Sequence, residues 1–436
     1  MTATRHPLIV VGGGPAGLAA ALAAQQQGIV PLVLERQRPP IDKACGEGIM
    51  PDGVDALRAL GVEPPGVDFR GIRYVDEAHA AAAPFPGAPG RGVRRTALHA
   101  AMVAAVERAG IEVRWGEKVE AVSLDGEVRT ERETLRGEWI VGADGLLSHV
   151  RGWAGLAGEP PPRRRFGVRR HFRRAPWSDL VEVHWRDGVE AYVTPVAEDE
   201  IGVAMLWNER RGRSRGAEPT HDGANTRGEE RADDRRAVPT HDDWANARED
   251  DDADCSRADA DLGDGTSIRA NARVLSHDHF DFNTLLARFP VLQARLAGAP
   301  ETSRDRGAGP FRQRARGIVR GRVVLIGDAA GYLDAITGEG LGLSFQQAHA
   351  LGAALARGDL GSYARACHRL ARLSDALTRT LLFCERRPWL RRRLVRELGR
   401  RPALFSRLLG VHARQLPPRS LGAGAFAALL LGLLRP

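Results

Sequence analysis

The sequence predicts an α/β fold in which a mainly parallel sheet is interleaved with an antiparallel sheet and followed by C-terminal helices. Three observations predict it: an apolar strand that leads into a glycine-rich turn and a helix, a later stretch of alternating polar and apolar residues, and helical periodicity towards the C-terminus. With 436 residues, of which 43% are hydrophobic and 27% charged, the chain can bury a sizeable core. This composition excludes a fibre and a chain that is disordered throughout.

The first element is a strand, a tight turn, a helix and a second strand in succession. Residues 8–11 are all apolar, as in a central parallel strand that is covered on both faces. The turn and the start of the helix comprise Gly12, Gly14, Pro15, Ala16 and Gly17. Glu35 ends the second strand, at 30–34, about 20 residues after the turn. This context predicts a dinucleotide-binding βαβ unit, in which the glycines admit a pyrophosphate and Glu35 binds a ribose hydroxyl. The alternative is a glycine-rich turn that serves packing alone.

The following stretch, up to about residue 90, is rich in glycine and proline and carries little periodicity. We predict long functional loops there, with a short helix at 54–60. Beyond it, the pattern predicts a helix at 96–109 and strands at 111–114, 119–124 and 138–141.

Alternation returns at 166–207, where Asp187-Gly188 is a hairpin turn signal, and predicts an antiparallel sheet with one polar face. Residues 208–267 are dense in Asp, Arg, Ala and Gly, and we predict a disordered insertion, because so few apolar residues cannot offset the entropy of ordering. An ordered metal-binding loop of His and Asp is the alternative. After it come a helical pattern at 280–296, interrupted by Pro290, and a buried strand at 323–326.

The remainder is mostly helical, with segments at 341–357 and 361–384, a basic stretch at 386–407 and an apolar run at 421–434. We therefore expect the parallel-sheet unit to comprise 1–165 and 268–357, with part of 40–95 as loops over the site. The other parts are the antiparallel sheet at 166–207, the insertion at 208–267 and a helical region at 358–436.

The net charge of +8 would suit a nucleic-acid or anionic-membrane partner. Nearly all the positive charge is arginine, however, since Lys43 and Lys118 are the two lysines. The four cysteines lie far apart and suggest neither a disulfide framework nor a zinc site, and the N-terminus lacks signal-peptide features. The sequence therefore predicts a cytoplasmic protein without a metal, and the apolar run at 421–434 is too short to span a bilayer.

Two further motifs decide the kind of dinucleotide. Residues 141–151, which contain Asp144-Gly145, and Gly327-Asp328 with Gly338-Glu339-Gly340 resemble the second and third motifs of the flavoprotein monooxygenase superfamily with the p-hydroxybenzoate hydroxylase fold. That superfamily includes geranylgeranyl reductases and flavin-dependent halogenases. The resemblance covers residues 8 to about 345. It implies a Rossmann-like FAD-binding domain interleaved with an antiparallel substrate domain, non-covalent FAD, and NAD(P)H as co-substrate.

The resemblance also implies roles for individual residues. Asp328 would contact the ribityl and pyrophosphate part of FAD, and the helix N-terminus at 338–341 would face the flavin pyrimidine ring. Arg95, at the start of a helix, would reach FAD or else be a solvated cap. Where hydroxylases usually carry proline, this chain has Ala335. The full set of expected FAD-binding residues is Gly12, Gly14, Pro15, Ala16, Gly17, Glu35, Arg36, Arg95, Asp144, Gly145, Gly327, Asp328, Gly338, Gly340 and Leu341.

A Cys45-Gly46-Glu47-Gly48 loop follows the second strand and resembles loops of geranylgeranyl reductases and of hydroxylases from polyketide and phenolic-lipid pathways. Cys45 would shape the flavin face or be an inert buried thiol, and we favour a structural role for it. Lys43 or Glu47 would position a substrate hydroxyl or nicotinamide, or be a surface charge. On the predicted substrate sheet, the candidates for a base that ionises a phenol are His171, His184 and Tyr192, although a lone histidine there is more often structural.

These features predict an FAD-dependent monooxygenase that uses NAD(P)H and O₂ on a lipophilic phenolic or polyketide-type substrate. The Trp-x-Trp-x-Ile-Pro motif of the halogenases is absent, which argues against halogenation. The Trp/Phe-Pro pattern of the reductases keeps only Pro195, so reduction of prenyl double bonds is the alternative.

The arginines at 386–407 cluster, with Trp389 and leucines interleaved. Together with the apolar run at 421–434, this pattern predicts either a peripheral contact with the inner face of the membrane or a solvated face packed on the flavin domain. Nucleic-acid binding is a third, non-enzymatic hypothesis, which we disfavour.

Overall fold

The structure is a computed structural model that describes residues 5–63, 65–159, 164–209 and 281–434. Nearly all of the insertion predicted at 208–267 lies outside these residues. The strands are β1 (Arg5–Val11), β2 (Pro31–Glu35), β3 (Gly48–Ile49), β4 (Val67–Phe69), β5 (Gly71–Val75), β6 (Ala80–Pro84), β7 (Gly90–Gly92), β8 (Glu112–Trp115), β9 (Val119–Val122), β10 (Glu127–Thr130), β11 (Thr134–Gly142), β12 (Arg165–Arg173), β13 (Leu180–Arg186), β14 (Val189–Ala197), β15 (Glu200–Asn208), β16 (Arg306–Ala308), β17 (Val319–Arg320) and β18 (Val323–Leu325).

Most of the predicted helical segments are observed, but the helix His149–Trp153 was not predicted and the basic stretch at 386–407 contains two helices, Pro388–Arg400 and Pro402–His412. A short 3₁₀ turn covers Gly327–Ala330. Pro290 is the first residue of its helix, where its missing N–H costs nothing. The helices are α1 (Pro15–Gln25), α2 (Pro51–Ala59), α3 (Arg95–Arg108), α4 (His149–Trp153), α5 (Phe282–Leu286), α6 (Pro290–Leu296), α7 (Gly340–Arg357), α8 (Leu360–Glu385), α9 (Pro388–Arg400), α10 (Pro402–His412) and α11 (Ala423–Leu434).

The first sheet has the order β17-β18-β11-β1-β2-β8, with β9 and β10 attached beside β11. Its central strand β1 pairs in parallel with both β2 and β11. Leu8, Ile9 and Val10 in β1 are fully buried, which explains their uniformly apolar character. Helix α1 contacts β1 and β2 of this sheet and packs on both α3 and α7. The carboxyl ends of β1, β2, β11 and β18 therefore meet at one edge, where ligands bind in open α/β sheets.

The second sheet has the order β16-β12-β15-β14-β13-β5-β6 and is antiparallel except where β5 runs parallel to β13. Two of its strands come from the stretch before residue 90 that we predicted as loops, and that prediction is wrong. Composition could not reveal these strands, because β5 is short and pairs with a strand more than 100 residues later in the chain. The division of the chain into the four predicted parts stays a prediction.

The two faces of the second sheet differ in what covers them. On one face, Arg170 lies over the ring of Phe282 in α5, and His184 contacts Phe289 beside α6. On the other face, Trp185 joins a buried apolar cluster with Phe405 and Leu409 of α10. The C-terminal helices thus cover the second face. None of the described helices has the length and apolar character needed to cross a bilayer.

Candidate cofactor and active site

The glycine-rich turn between β1 and α1 is bare backbone because side chains would not fit. Gly12 has φ +113°, and a methyl group there would lie 2.5 Å from the carbonyl oxygen of Ala143. A methyl group at Gly17 would lie 1.8 Å from the carbonyl oxygen of Gly12. Gly14 is the N-cap of α1 and provides no side-chain cap, so the first N–H groups of the helix are free for an anion. This cradle fits a pyrophosphate.

Glu35 lies at the carboxyl end of β2 and is buried against the turn. Its Oε2 accepts a hydrogen bond from the backbone N–H of Gly13 at 2.6 Å, and its Oε1 accepts one from Gln37 at 2.9 Å. Each carboxylate oxygen can accept a second hydrogen bond, so the pair of hydroxyls on a ribose fits this side chain. The sequence predicted the position of Glu35 but not its contact with Gly13.

Three positively charged side chains, Arg95, Lys43 and Arg36, lie near the turn and Glu35. Arg95 is the first residue of α3, and its Nη2 would lie 3.9 Å from a methyl group on Gly14. Burial lowers the pKa of Lys43, with Glu35 opposing that change and Arg95 and Arg36 adding to it. The predicted residues Arg36 and Arg95 therefore lie near one another around Lys43, on the side of the turn where phosphate charge is expected.

The second and third motifs meet beside α1. Asp144 accepts hydrogen bonds from the hydroxyl of Ser148 at 2.5 Å and from the N–H of Val150 at 3.0 Å, and so fixes the start of α4. Arg151 is buried and donates to the carbonyl oxygens of Asp328 and Ala329. Arg151 thus ties the two motifs together, a role that its position in the sequence did not reveal.

Gly327 and Asp328 follow β18 and approach the N-terminus of α1. Gly327 has φ +60°, and a methyl group there would lie 2.8 Å from Cβ of Ala16. Burial raises the pKa of the Asp328 carboxyl, whereas the charges of Arg95, Lys43 and Arg151 act against that rise. Asp328 therefore lies close to these cationic groups, next to Gly327, which approaches the N-terminus of α1.

The third motif continues to the start of α7. Gly338 has φ +67°, and Gly340 and Leu341 are the first residues of the helix. The N-cap residue Glu339 makes no cap with its side chain, which instead accepts a hydrogen bond from Ser374 of α8 at 2.5 Å. The first N–H groups of α7 therefore lack a side-chain cap from Glu339, which instead ties the loop to the C-terminal helices.

The loop before β3 contains Cys45 and Glu47, and its polar groups are engaged within the protein. Sγ of Cys45 accepts the N–H of Glu47 at 3.3 Å, and burial raises the pKa of the Cys45 thiol. The carboxylate of Glu47 binds the backbone N–H of Arg95 and the ring of His171. These contacts favour the structural role of Cys45 and do not leave Glu47 or His171 as a free base.

Tyr192 and His184, both candidates for a base, lie on opposite faces of the second sheet. The β13–β14 hairpin pairs Val183 with Tyr192, which turns His184 away from Tyr192. His184 pairs with Glu182 at 2.9 Å on the face covered by α5 and α6. His184 therefore lies on the face away from Tyr192, because the hairpin register, which the sequence did not specify, decides the face. Its assignment as a base stays a prediction.

Tyr192 lies on the face that adjoins the third motif. Its hydroxyl donates a hydrogen bond to Oε2 of Glu190 at 2.7 Å and lies 3.2 Å from the carbonyl oxygen of Ile336. Arg165 is 3.3 Å from Glu190 and 3.4 Å from Asp334. Burial raises the pKa of Asp334 to about 6, with Arg165 opposing and Glu190 adding to the rise. The site therefore has a tyrosine backed by a buried carboxylate.

The fold and this constellation agree with comparisons to known proteins. The family model described as an FAD-binding domain matches residues 5–253, which include the glycine-rich turn, Glu35, Arg95 and the second motif. The chain belongs to this family. The predicted family resemblance, the α/β fold class and FAD as the cofactor are thereby confirmed. The flavoprotein's own constellation fits FAD, since a pyrophosphate cradle, a ribose acceptor and an open helix N-terminus converge on one edge of the first sheet.

Two curated relatives resemble parts of the flavoprotein. The FAD-dependent monooxygenase OpS4 of Beauveria bassiana is 31% identical over 171 residues, which cover 35% of this chain and 40% of that protein. The menaquinone reductase of Mycobacterium tuberculosis is 30% identical over 228 residues, which cover 47% of this chain and 56% of that protein. The flavoprotein thus spans about half of these relatives or less.

Among solved structures, a flavoprotein/dehydrogenase from Cytophaga hutchinsonii aligns with 98% of this chain and 98% of its own length. Its TM-score is 0.67 at 14% identity, so the likeness concerns the fold. The alignment extends over the C-terminal helices, which the family model does not reach.

Proposed function

We propose that the flavoprotein is an oxidoreductase that hydroxylates an apolar phenolic or polyketide-type aromatic substrate, with NAD(P)H and O₂. The observation that carries this proposal is the hydrogen bond from Tyr192 to buried Glu190. Both residues lie on the face of the second sheet that adjoins Ile336, in the third motif. The partial similarity to a monooxygenase supports the same reaction class. When bound, FAD supplies the transfer of electrons from NAD(P)H and the activation of O₂.

The protein's first task is to hold and orient the cofactor. The backbone of Gly12 to Gly17 and the N-terminus of α1 would hold the pyrophosphate, and Glu35 would hold the adenosine ribose. Arg95, whose guanidinium lies beside Gly14, would neutralise phosphate charge there. The N–H groups at the N-terminus of α7, which lack a side-chain cap, would stabilise negative charge on a reduced flavin.

Tyr192 and Glu190 would then increase the electron density of a phenol. A substrate hydroxyl that donates to Oη of Tyr192 can pass its proton to that oxygen, while the proton of Tyr192 passes to Oε2 of Glu190 over 2.7 Å. Arg165, at 3.3 Å from Glu190, holds the accepting carboxylate in place. Tyr74 stacks on Trp185 at 4.7 Å and on Phe405 at 5.5 Å, and this aromatic wall excludes water.

A second candidate is the reduction of prenyl double bonds. It is favoured by the similarity to a menaquinone reductase, which covers 47% of this chain, and by the retained Pro195 of the substrate sheet. The experiment that separates the two is turnover of NAD(P)H with candidate phenols and prenylated quinones, with and without O₂. Hydroxylated product that forms only with O₂ supports the first proposal. A saturated prenyl chain formed without O₂ supports the second.

We also propose a peripheral contact with anionic membrane through α8 and α9. Phe383 and Trp389 are 51% and 53% exposed, and Leu431 of α11 is 56% exposed. Arg387 lies 3.7 Å over Phe383, and Arg393 lies 5.2 Å over Trp389, an aromatic and basic combination suited to a lipid interface. Other arginines of the cluster are already paired within the protein: Arg391 with Asp187, Arg392 with Glu77, and Arg396, Arg400 and Arg401 with Glu397.

Sedimentation with vesicles tests this contact. Binding to vesicles with anionic lipid, lost in the double variant F383S/W389S, supports it. Equal binding to neutral and anionic vesicles, or none to either, contradicts it.

A further inference from the structure

Glu47 has a backbone conformation that glutamate rarely adopts. Its φ is +58°, in the left-handed region, and its side chain is 2% exposed. This conformation directs its own N–H to Sγ of Cys45 at 3.3 Å, while its carbonyl oxygen accepts the N–H of Val93 at 2.9 Å. A residue in a strained conformation persists only where contacts with its surroundings hold it, and the carboxylate of Glu47 makes such contacts.

One oxygen of that carboxylate caps a helix of the cofactor site. Oε1 of Glu47 accepts the backbone N–H of Arg95 at 2.7 Å. Arg95 is the first residue of α3, and the N-cap residue Arg94 provides no side-chain cap. Glu47 therefore satisfies a helix N–H from 48 residues away and places a negative charge at the positive end of the helix. The same contact fixes the backbone of Arg95, and with it the position from which the Arg95 side chain extends.

The other carboxylate oxygen of Glu47 contacts His171 in strand β12 of the second sheet, the predicted substrate sheet. Oε2 of Glu47 lies 2.5 Å from Nε2 of His171, which is fully buried. The opposite ring nitrogen, Nδ1, lies 2.9 Å from Nη1 of Arg169 and 2.8 Å from Oγ of Ser303. Because a guanidinium has donors only, Nδ1 must accept, and the ring proton of neutral His171 is on Nε2, from which it is donated to Glu47. Arg169 is itself fixed by Asp42 at 2.5 Å.

We propose that Glu47 is a positioning residue for FAD, held in place by His171 of the substrate sheet, and that it sets Arg95 and Cys45 against the cofactor. The inference uses only the binding of FAD and is independent of whether the reaction is hydroxylation or reduction. It assigns to His171 a role in cofactor affinity, although His171 belongs to the other sheet. The dissociation constant for FAD is therefore the direct readout, and it needs no substrate.

The test compares Glu47→Gln, His171→Gln and the double variant by FAD titration of the cofactor-free protein. Glutamine at position 47 has one oxygen and one amide group. If its oxygen accepts the N–H of Arg95, its amide N–H₂ faces the Nε2–H of His171, and two donors cannot form a hydrogen bond. Glu47→Gln therefore keeps either the contact with Arg95 or the contact with His171, but not both. Each single variant should weaken FAD binding by about tenfold, as for a hydrogen bond to a charged group. The double variant should be no weaker than the worse single variant, because both changes break the same contact.

Glu182 and His184 provide a matched control, since they form the same kind of pair at 2.9 Å on the opposite face of the same sheet. Glu182→Gln and His184→Gln should keep the FAD dissociation constant of the parent within about twofold. The visible circular dichroism of bound flavin should change in the 47 and 171 variants and stay unchanged in the controls.

Two results would overturn the proposal: unchanged FAD affinity in Glu47→Gln and His171→Gln, or losses that add up fully in the double variant. If the position 47 variant does not fold, Ser303→Ala replaces it, because it removes only one partner of Nδ1. That variant should weaken FAD binding severalfold, and an affinity equal to the parent's would equally contradict the proposal.

Discussion

Arg151 donates a hydrogen bond from Nη1 to the carbonyl oxygen of Asp328 at 3.3 Å, across 177 residues of sequence. Its Nη1 also donates to Ala329 at 3.1 Å, and its Nη2 donates to Leu146 at 2.9 Å. A single buried guanidinium therefore links the loop after β11 to the loop after β18. Both loops border the expected FAD path, so the geometry of the cofactor site depends on a residue outside its expected contact set.

Replacing Arg151 by methionine should remove the donor from the carbonyl oxygens of Ala329 and Leu146, whereas that of Asp328 keeps the N–H of Gly331. We expect a loss of about 2–4 kcal/mol in the free energy of unfolding, because each unsatisfied buried polar group costs about 1–3 kcal/mol. Urea unfolding of the cofactor-free protein measures the loss. Arg320→Met, which removes an arginine that donates to Ala154 and Gly155 outside this link, serves as the comparison. An effect for Arg151→Met no larger than that of Arg320→Met would argue against the link.

Gly17→Ala should abolish FAD binding. Its methyl group would meet the carbonyl oxygen of Gly12 at 1.8 Å, and only a shift of the turn relieves this contact. Gly152→Ala in α4 is the matched control, since nothing lies within 4 Å of a methyl group there. The control should therefore bind FAD normally. Because alanine in a helix is favoured over glycine by up to about 1 kcal/mol, its free energy of unfolding should be slightly higher than that of the parent. Flavin fluorescence quenching measures both variants, and normal binding by Gly17→Ala would contradict the predicted pyrophosphate cradle.

Tyr192→Phe should lower kcat for a phenolic substrate by about a hundredfold with little change in KM, as expected when a general base is removed. Glu190→Gln should have a similar effect, and the double variant should be no slower than the single ones. His184→Gln, on the opposite face, should retain kcat. Steady-state oxidation of NAD(P)H with the best phenol provides the measurement. A normal kcat for Tyr192→Phe would remove Tyr192 from the proposed proton transfer.

The buried carboxyl group of Asp334 should make the free energy of unfolding depend on pH. Burial raises its pKa to about 6 from the ordinary value of 3.8, so between these values the folded state binds more protons than the unfolded state. The free energy of unfolding should therefore fall as the pH rises from about 4 to about 6 and level off above.

Asp334→Asn removes this dependence and should stabilise the protein at pH 7 by about 1–3 kcal/mol, since each pKa unit corresponds to about 1.4 kcal/mol. The asparagine oxygen can still accept the N–H of Ile336. Asp125→Asn, at an exposed turn residue, is the control. Urea unfolding across this pH range measures both, and a loss of stability at pH 7 in Asp334→Asn would contradict the prediction.

The sequence predicted those parts of the site that depend on local spacing. The glycine-rich turn and Glu35 need only a strand, a turn, a helix and a second strand in succession, and their positions follow from that order. The role of the start of α7 was implied by the family resemblance instead. The face of a residue on the second sheet depends on hairpin register instead, which is why Tyr192 and His184 were not distinguished. The contacts of Glu47 with His171 and of Arg151 with Asp328 join distant segments, and no periodicity in the chain signals them.

The most direct test of the proposed hydroxylation is the fate of isotopically labelled O₂. The FAD-loaded protein is supplied with NAD(P)H and a panel of lipophilic phenols, and the products are analysed by mass spectrometry. We predict one labelled oxygen atom in the product, formed only when both NAD(P)H and O₂ are present. Products without label, together with reduction of a prenylated quinone in the absence of O₂, would contradict hydroxylation and establish the reductive reaction in its place.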